Sequence, residues 1–201
     1  MQRYDSRTAL VVVDVQNDFA DPAGSRAVAA ATAIIPTVND AVKAAVGAGG
    51  TVIYTQDWHP GTTAHFAKDG GIWPVHCVAG SWGADLHPSL AVADDAPRIR
   101  KGVNGEDGYS GFTTRDPLTG ETRPTDLDGL LRQLGIERIV VCGLATDYCV
   151  NATALDAIRL GYETFFLEDA VAAVNLQPGD GERATDAMVD AGCHPWVVPA
   201  R

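Results

Sequence analysis

The sequence predicts an α/β fold of three layers, α/β/α and Rossmann-like, in which helices cover both faces of a mostly parallel sheet of five to six strands. Three observations lead there. Strand-type and helix-type segments alternate along the chain, the pattern of βαβ units. The strands are continuous apolar runs, as expected of strands covered on both faces. The chain has 201 residues, 46% of them hydrophobic, which suits one domain over residues 1–201 with a single core.

Thr8–Val13 (TALVVV) is a β-branched apolar run and reads as the first strand. Ile34, Ile35, Val38, Ala41, Val42, Ala45 and Val46 then recur at helical spacing, and Gly47 offers a stop. Thr51–Thr55 (TVIYT) is a second strand, and Arg98–Arg100 a short third that ends at Lys101. Leu127, Leu130, Leu131 and Leu134 mark a helix, capped by Thr125 and terminated by Gly135. Arg138–Cys142 (RIVVC) is the fourth strand. Thr146 or Asp147 would cap the helix after it, whose apolar face holds Val150, Ala154, Leu155 and Ile158, with Gly161 at its end. Glu163–Leu167 (ETFFL) is a fifth strand, Arg183–Ala191 a helix, and Trp196–Val198 a short final strand. The long segment Trp58–Pro97, rich in Gly, Pro, His and Trp, reads as a functional loop region.

Charge and leader signals narrow the function. A net charge of −11 repels phosphate backbones, so nucleic acid is not an expected partner. No stretch approaches the roughly 20 apolar residues that a membrane helix needs. Met1 to Arg7 is polar, without a signal-peptide core, so a cytoplasmic location is expected. The four cysteines are irregularly spaced, and a disulfide framework is not expected in a reducing compartment. A homo-oligomer is compatible with the sequence, which does not define the oligomeric state.

In a parallel sheet, ligands sit beyond the carboxyl ends of the strands. Asp14, Asp57, Lys101 and the 143–149 loop are therefore the positions to weigh. Cys149 falls in a first helical turn, where the dipole and free N–H groups favour a thiolate and can hold an oxyanion. Its alternative is a packed core thiol. Cys77, Cys142 and Cys193 read as structural. Asp14 and Lys101 close strands expected to be neighbours. Taken singly, Asp14 reads as a strand-end cap and Lys101 as a solvent-facing charge. Taken together with Cys149, they offer a nucleophile, a proton acceptor and a cation that holds the acceptor ionised.

A second constellation begins at Asp57, with His59, His65 and His76 following at offsets of 2, 8 and 19 residues. Three of the five histidines thus lie beside one aspartate. Imidazoles with a carboxylate suit a divalent transition metal such as Zn, Fe or Mn rather than Ca or Mg. The alternative is a loop with surface histidines and an Asp turn. His87 and His194 adjoin prolines, have no companion carboxylate pattern, and read as structural.

Val13–Phe19 (VDVQNDF), Gln56–Phe66 (QDWHPGTTAHF), Trp73–Val78 (WPVHCV), Lys101-Gly102, Tyr109–Phe112 (YSGF) and Cys142–Val150 (CGLATDYCV) occur in register from about residue 8 to residue 170. In these stretches the chain resembles the nicotinamidases (pyrazinamidases) of the isochorismatase-like cysteine hydrolases. The resemblance implies an amidohydrolase that converts nicotinamide to nicotinic acid and ammonia in NAD salvage, and that also accepts pyrazinamide. It implies a Cys149–Asp14–Lys101 triad and one metal ion on Asp57, His59, His65 and His76. It further implies a cis Leu144–Ala145 peptide that aims the N–H groups of Ala145 and Cys149 at an oxyanion, with Phe19, Trp73 and Ala145 against the substrate ring. One departure is visible: the segment between Lys101 and Tyr109 (GVNGEDG) is longer and more acidic than the resemblance implies. Three other readings stay open. The chain could be a relative acting on a different small amide, or a hydrolase whose metal activates water while Cys149 is structural. It could also be a non-enzymatic metal-binding protein on the same scaffold.

Overall fold

The structure is a computed structural model, described over residues 3–196. Among these residues, six strands form one parallel sheet in the order β3-β2-β1-β6-β7-β8. They are β1 (Thr8–Val13), β2 (Thr51–Asp57), β3 (Arg98–Lys101), β6 (Arg138–Leu144), β7 (Glu163–Ala172) and β8 (His194–Pro195). β1 is central, paired with β2 on one side and β6 on the other, and its residues are buried without exception. Such a strand needs a hydrophobe at every position, which explains the TALVVV run.

Leu10 and Val12 face a core shared with Ile34, Ile35, Val38, Val42 and Ala45 of α2 (Ala31–Gly47). Ala9, Val11 and Val13 face the opposite core, filled by Leu127 and Leu131 of α3 (Leu127–Gln133), Ala154 and Ala157 of α4 (Asn151–Arg159), and Met188 of α5 (Asp180–Asp190). One helix thus covers one face and three cover the other, giving the expected three layers. No helix among the described residues is long and apolar enough to cross a membrane.

Several local expectations are corrected. β7 runs on to Ala172, and its pairing with β6 shifts register between Val141 and Gly143. Gly143 has φ +107°, and a Cβ there would stand 2.2 Å from the carbonyl oxygen of Val13, so only glycine lets β6 lie this close to β1. Neither Thr146 nor Asp147 caps a helix. A π-helical turn, Thr146–Val150, precedes α4 instead, and the Asp147 carboxylate accepts the N–H groups of Val174 and Asn175. In α4, Ile158 packs partly buried against the core as expected, while Ala157 is fully buried and Leu155 is not part of that core. The Thr125 hydroxyl accepts the N–H of Leu127 at 3.2 Å, but the N-cap position of α3 falls one residue later, at Asp126. A four-residue helix, α1 (Asn17–Ala20), and an antiparallel hairpin of β4 (Thr113–Arg115) and β5 (Thr122–Pro124) carry no apolar period and were not anticipated. Of the expected last strand, Trp196 follows β8 directly, and residues 197 and 198 lie outside the described residues.

Burial makes a direct prediction. Leu131 is fully buried and Leu118 is 85% exposed. Leu131→Ala should cost about 2–5 kcal/mol of unfolding free energy, and Leu118→Ala no more than about 0.5 kcal/mol, both read from denaturant midpoints.

Candidate active site

The carboxyl ends of β1, β2, β3 and β6 converge on one buried cluster. Asp14 follows β1 with φ +48°, a left-handed backbone that a non-glycine residue adopts at a cost. Its N–H faces the carbonyl of Thr55, and its Oδ1 accepts the Thr55 hydroxyl at 2.5 Å. Its Oδ2 lies 2.8 Å from Nζ of Lys101. The same ammonium is 2.6 Å from Oδ1 of Asp57, 3.2 Å from the carbonyl of Tyr109 and 3.5 Å from Sγ of Cys149. Lys101 is therefore a buried hub, not a solvent-facing charge.

The expected adjacency of the Asp14 and Lys101 strands is also corrected. β2 lies between β1 and β3, and the long lysine side chain spans the intervening strand end. That is why Asp57, at the end of β2, shares the ammonium with Asp14.

Electrostatics follow from this burial. Burial pushes the Asp14 carboxyl up, against the downward pull of Lys101. Burial also opposes ionisation of Asp57, but Lys101 and the neighbouring rings of His59 and His76 hold it well below the usual carboxylate range. Desolvation would discharge Lys101, yet Asp14, Asp57 and Cys149 keep it well above the usual lysine range. The Cys149 thiol is pushed up by burial, pulled down by Lys101, and raised again by Asp14 and Asp57. The expected easing toward thiolate at a helix start is therefore outweighed: the resting thiol is protonated, with a carboxylate acceptor beside it. The other three cysteines are buried and free, and burial raises their thiols, that of Cys193 to about 12.

The peptide bond between Leu144 and Ala145 is cis. The Ala145 N–H makes no hydrogen bond within the described residues, and Ala145 and Cys149 both line one cavity. Phe19, Trp73, His76 and Asp57 line the same cavity, among them the two aromatics expected against a substrate ring. Tyr109 and Tyr148 join them, packed edge-on to Trp73 and to each other.

Beside this cavity His59, His65 and His76 are buried, each offering a ring nitrogen within 4.8 Å of the others. Nδ1 of His65 bonds the Asp107 carboxylate at 3.0 Å, and Nδ1 of His76 bonds the Pro74 carbonyl at 2.7 Å. These partners leave Nε2 of both rings as the inward atom. Nε2 of His59 and of His65 has no hydrogen-bond partner. Buried polar atoms without partners are costly, and three converging imidazoles, two of them held from behind by a carboxylate and a carbonyl, are the arrangement of a divalent transition-metal site. The residues present fit such an ion. Asp57 stands at the edge of this group: its Oδ2 is 3.8 Å from Nε2 of His59 and 3.7 Å from Nε2 of His76, while its Oδ1 serves Lys101. His87, expected to lack a carboxylate companion, has Nε2 3.8 Å from Asp21, brought there by the fold.

Several supporting residues escaped the sequence reading. The Gln16 side chain accepts the N–H of Asp57 and donates to its carbonyl. Asp18 accepts the N–H of Cys77, next to His76. Asp107 belongs to the unexpectedly acidic GVNGEDG segment, and its acidity has this use. Gln16 and Asp18 lay inside the VDVQNDF stretch, the one available signal for them.

Fold and site together define the class: a three-layer α/β hydrolase with a buried thiol and a histidine cluster at the strand ends. Comparison with known proteins narrows it. Residues 8–195 match the isochorismatase domain, and the chain belongs to the isochorismatase family. It is 38% identical over 200 residues to the nicotinamidase of Escherichia coli K12, covering 92% of each chain. A pyrazinamidase of Pyrococcus horikoshii in complex with zinc has a TM-score of 0.85 at 38% identity, over 96% of this chain and 99% of that one. PnC1 from L. infantum in complex with nicotinate has a TM-score of 0.86 at 36% identity, over 97% of this chain and 95% of that one.

The outer support of His65 can be probed directly. Asp107→Ala should weaken divalent-metal affinity by about 10–100-fold, measured by competition with a chelator; an unchanged affinity would remove Asp107 from this role.

Proposed function

We propose that this chain is a nicotinamidase, hydrolysing nicotinamide to nicotinic acid and ammonia through a Cys149 thioester within one hydrolase domain spanning residues 1–201. The carrying observation is that one cavity is lined both by Cys149, whose sulfur adjoins the Lys101–Asp14 pair, and by His76, one of three clustered imidazoles. The similarity to a nicotinamidase and to nicotinate-bound and zinc-bound structures supports the same reading. The substrate is a small neutral carboxamide, and pyrazinamide, which also presents a ring nitrogen and a carboxamide, is accepted as well. The reaction returns the pyridine ring to NAD salvage. Free cysteines throughout fit a reducing cytoplasm.

Asp14, which shares the Lys101 ammonium with Cys149, takes the thiol proton, and its upward-shifted carboxyl is suited to receive it. Lys101 stabilises the resulting charges. Sγ attacks the amide carbon, and the N–H groups of Ala145 and Cys149 receive the oxyanion, each donor being worth about 3 kcal/mol. Asp14 then gives its proton to the departing nitrogen, which leaves as ammonia. Water attacks the thioester, Asp14 accepts its proton and returns it to the departing sulfur, and the acid and the free thiol are released. Phe19 and Trp73 hold the ring and exclude water. His59, His65 and His76, with Asp57 beside them, would hold a divalent ion of the Zn, Fe or Mn class. When bound, that ion supplies a Lewis-acidic anchor for a ring nitrogen.

Cys149→Ala should lower nicotinamide turnover by more than about 1,000-fold while leaving substrate affinity nearly intact. Undiminished ammonia release would defeat the covalent scheme in favour of metal-activated water. His59→Ala should lose bound metal by elemental analysis and raise KM strongly; full metal retention would show the ligand assignment to be wrong.

A further inference from the structure

Arg26 lines the mouth of the cavity that also holds Cys149 and His76. Its guanidinium lies 4.1 Å from the centroid of the Trp73 ring, and Tyr109 and Tyr148 line the same cavity. Among the described residues it has no carboxylate within ion-pair distance, whereas Arg115, Arg138 and Arg183 each hold one. Arg98 and Arg100 also lack a carboxylate partner but line a different cavity, so Arg26 is the unpaired guanidinium, among the described residues, that shares a cavity with Cys149. Its backbone is also fixed. The Arg26 N–H donates to the carbonyl of Asp18 at 2.9 Å, and the Asp18 carboxylate accepts the N–H groups of Ser25 and Cys77 at 3.0 and 2.7 Å. The charge is thus carried on the same scaffold as His76.

A neutral pyridine or pyrazine carboxamide gives this cation nothing to pair with. A guanidinium presents a planar fork of N–H donors that matches a carboxylate in two bonds, and a seat on an indole face holds the fork without consuming those donors. We propose that Arg26 is a specificity-determining residue that admits a further substrate class: aromatic ring carboxamides bearing a second, anionic substituent on the ring edge that faces the cavity mouth. This rests on the cavity being the carboxamide site. The carboxamide of such a substrate would meet Cys149, and its carboxylate would meet Arg26.

The test compares three amides on the metal-loaded full chain: nicotinamide, 5-carbamoylpyridine-3-carboxylate, and pyridine-3,5-dicarboxamide as a neutral control of the same size. The wild type should hydrolyse the anionic amide with kcat/KM at least equal to that of the dicarboxamide. Arg26→Gln should lower kcat/KM for the anionic amide by about 5-fold or more, the effect of losing one partly exposed charge-assisted contact. It should change nicotinamide and the dicarboxamide by less than about 2-fold, and Arg26→Lys should recover part of the loss. Equal losses on charged and neutral amides would reduce Arg26 to packing on Trp73 and overturn the proposal. So would a wild type that hydrolyses nicotinamide but rejects the anionic amide. A wild type that releases ammonia from none of the three overturns the nicotinamidase reading, and this inference with it.

Discussion

The ammonium of Lys101, wedged between Asp14 and Asp57 with the sulfur of Cys149 against it, is the interaction on which the rest of the site depends. Two carboxylates this deep in a protein would otherwise lose their charge or their place, since an unpaired buried ion costs several kcal/mol. One cation between them permits both to remain. It also ties two halves of the site together: Asp14 faces the thiol and Asp57 faces the histidines. The reach of a lysine side chain over one intervening strand makes this possible, and a shorter cation at the end of β3 would leave Asp14 alone.

The histidine group shows the same dependence at the next level. His59, His65 and His76 come from a long irregular segment, and nothing in the chain holds them together locally. Asp107 and the Pro74 carbonyl turn two of the rings. His59 is held by its backbone, which pairs with Cys77 and Ala79. Space for its ring comes from Gly102, where a Cβ would stand 2.4 Å from Nδ1. Because Gly102 directly follows Lys101, the same strand end that supplies the cation also clears room for the imidazole. Arg26 joins this scaffold from the other rim through Asp18.

Much of this was legible in the chain. The buried strands were readable because a strand covered on both faces needs hydrophobes at every position, and the helices because their apolar period is long and uninterrupted. Asp14, Lys101, Cys149 and the three histidines stood out because strand ends and clustered imidazoles are chemically conspicuous. Short polar elements such as α1 and the β4–β5 hairpin were not readable, since no hydrophobic period marks them. Asp107 was seen only as excess acidity, and Gln16 and Asp18 only as part of a motif, because what each one holds lies far away in sequence.

The sequence by itself determined the layered parallel sheet, and it singled out the thiol proposed as nucleophile, its two charged companions and the residue types for a metal, because these follow from patterning and side-chain chemistry. Tertiary structure alone decided the protonation of the site and the strand order that makes Lys101 reach across β2. It also decided the partners that aim each imidazole and the placement of Arg26 at the cavity mouth. Burial and distance set these, and both are sums over residues from the whole chain that no local stretch of sequence contains.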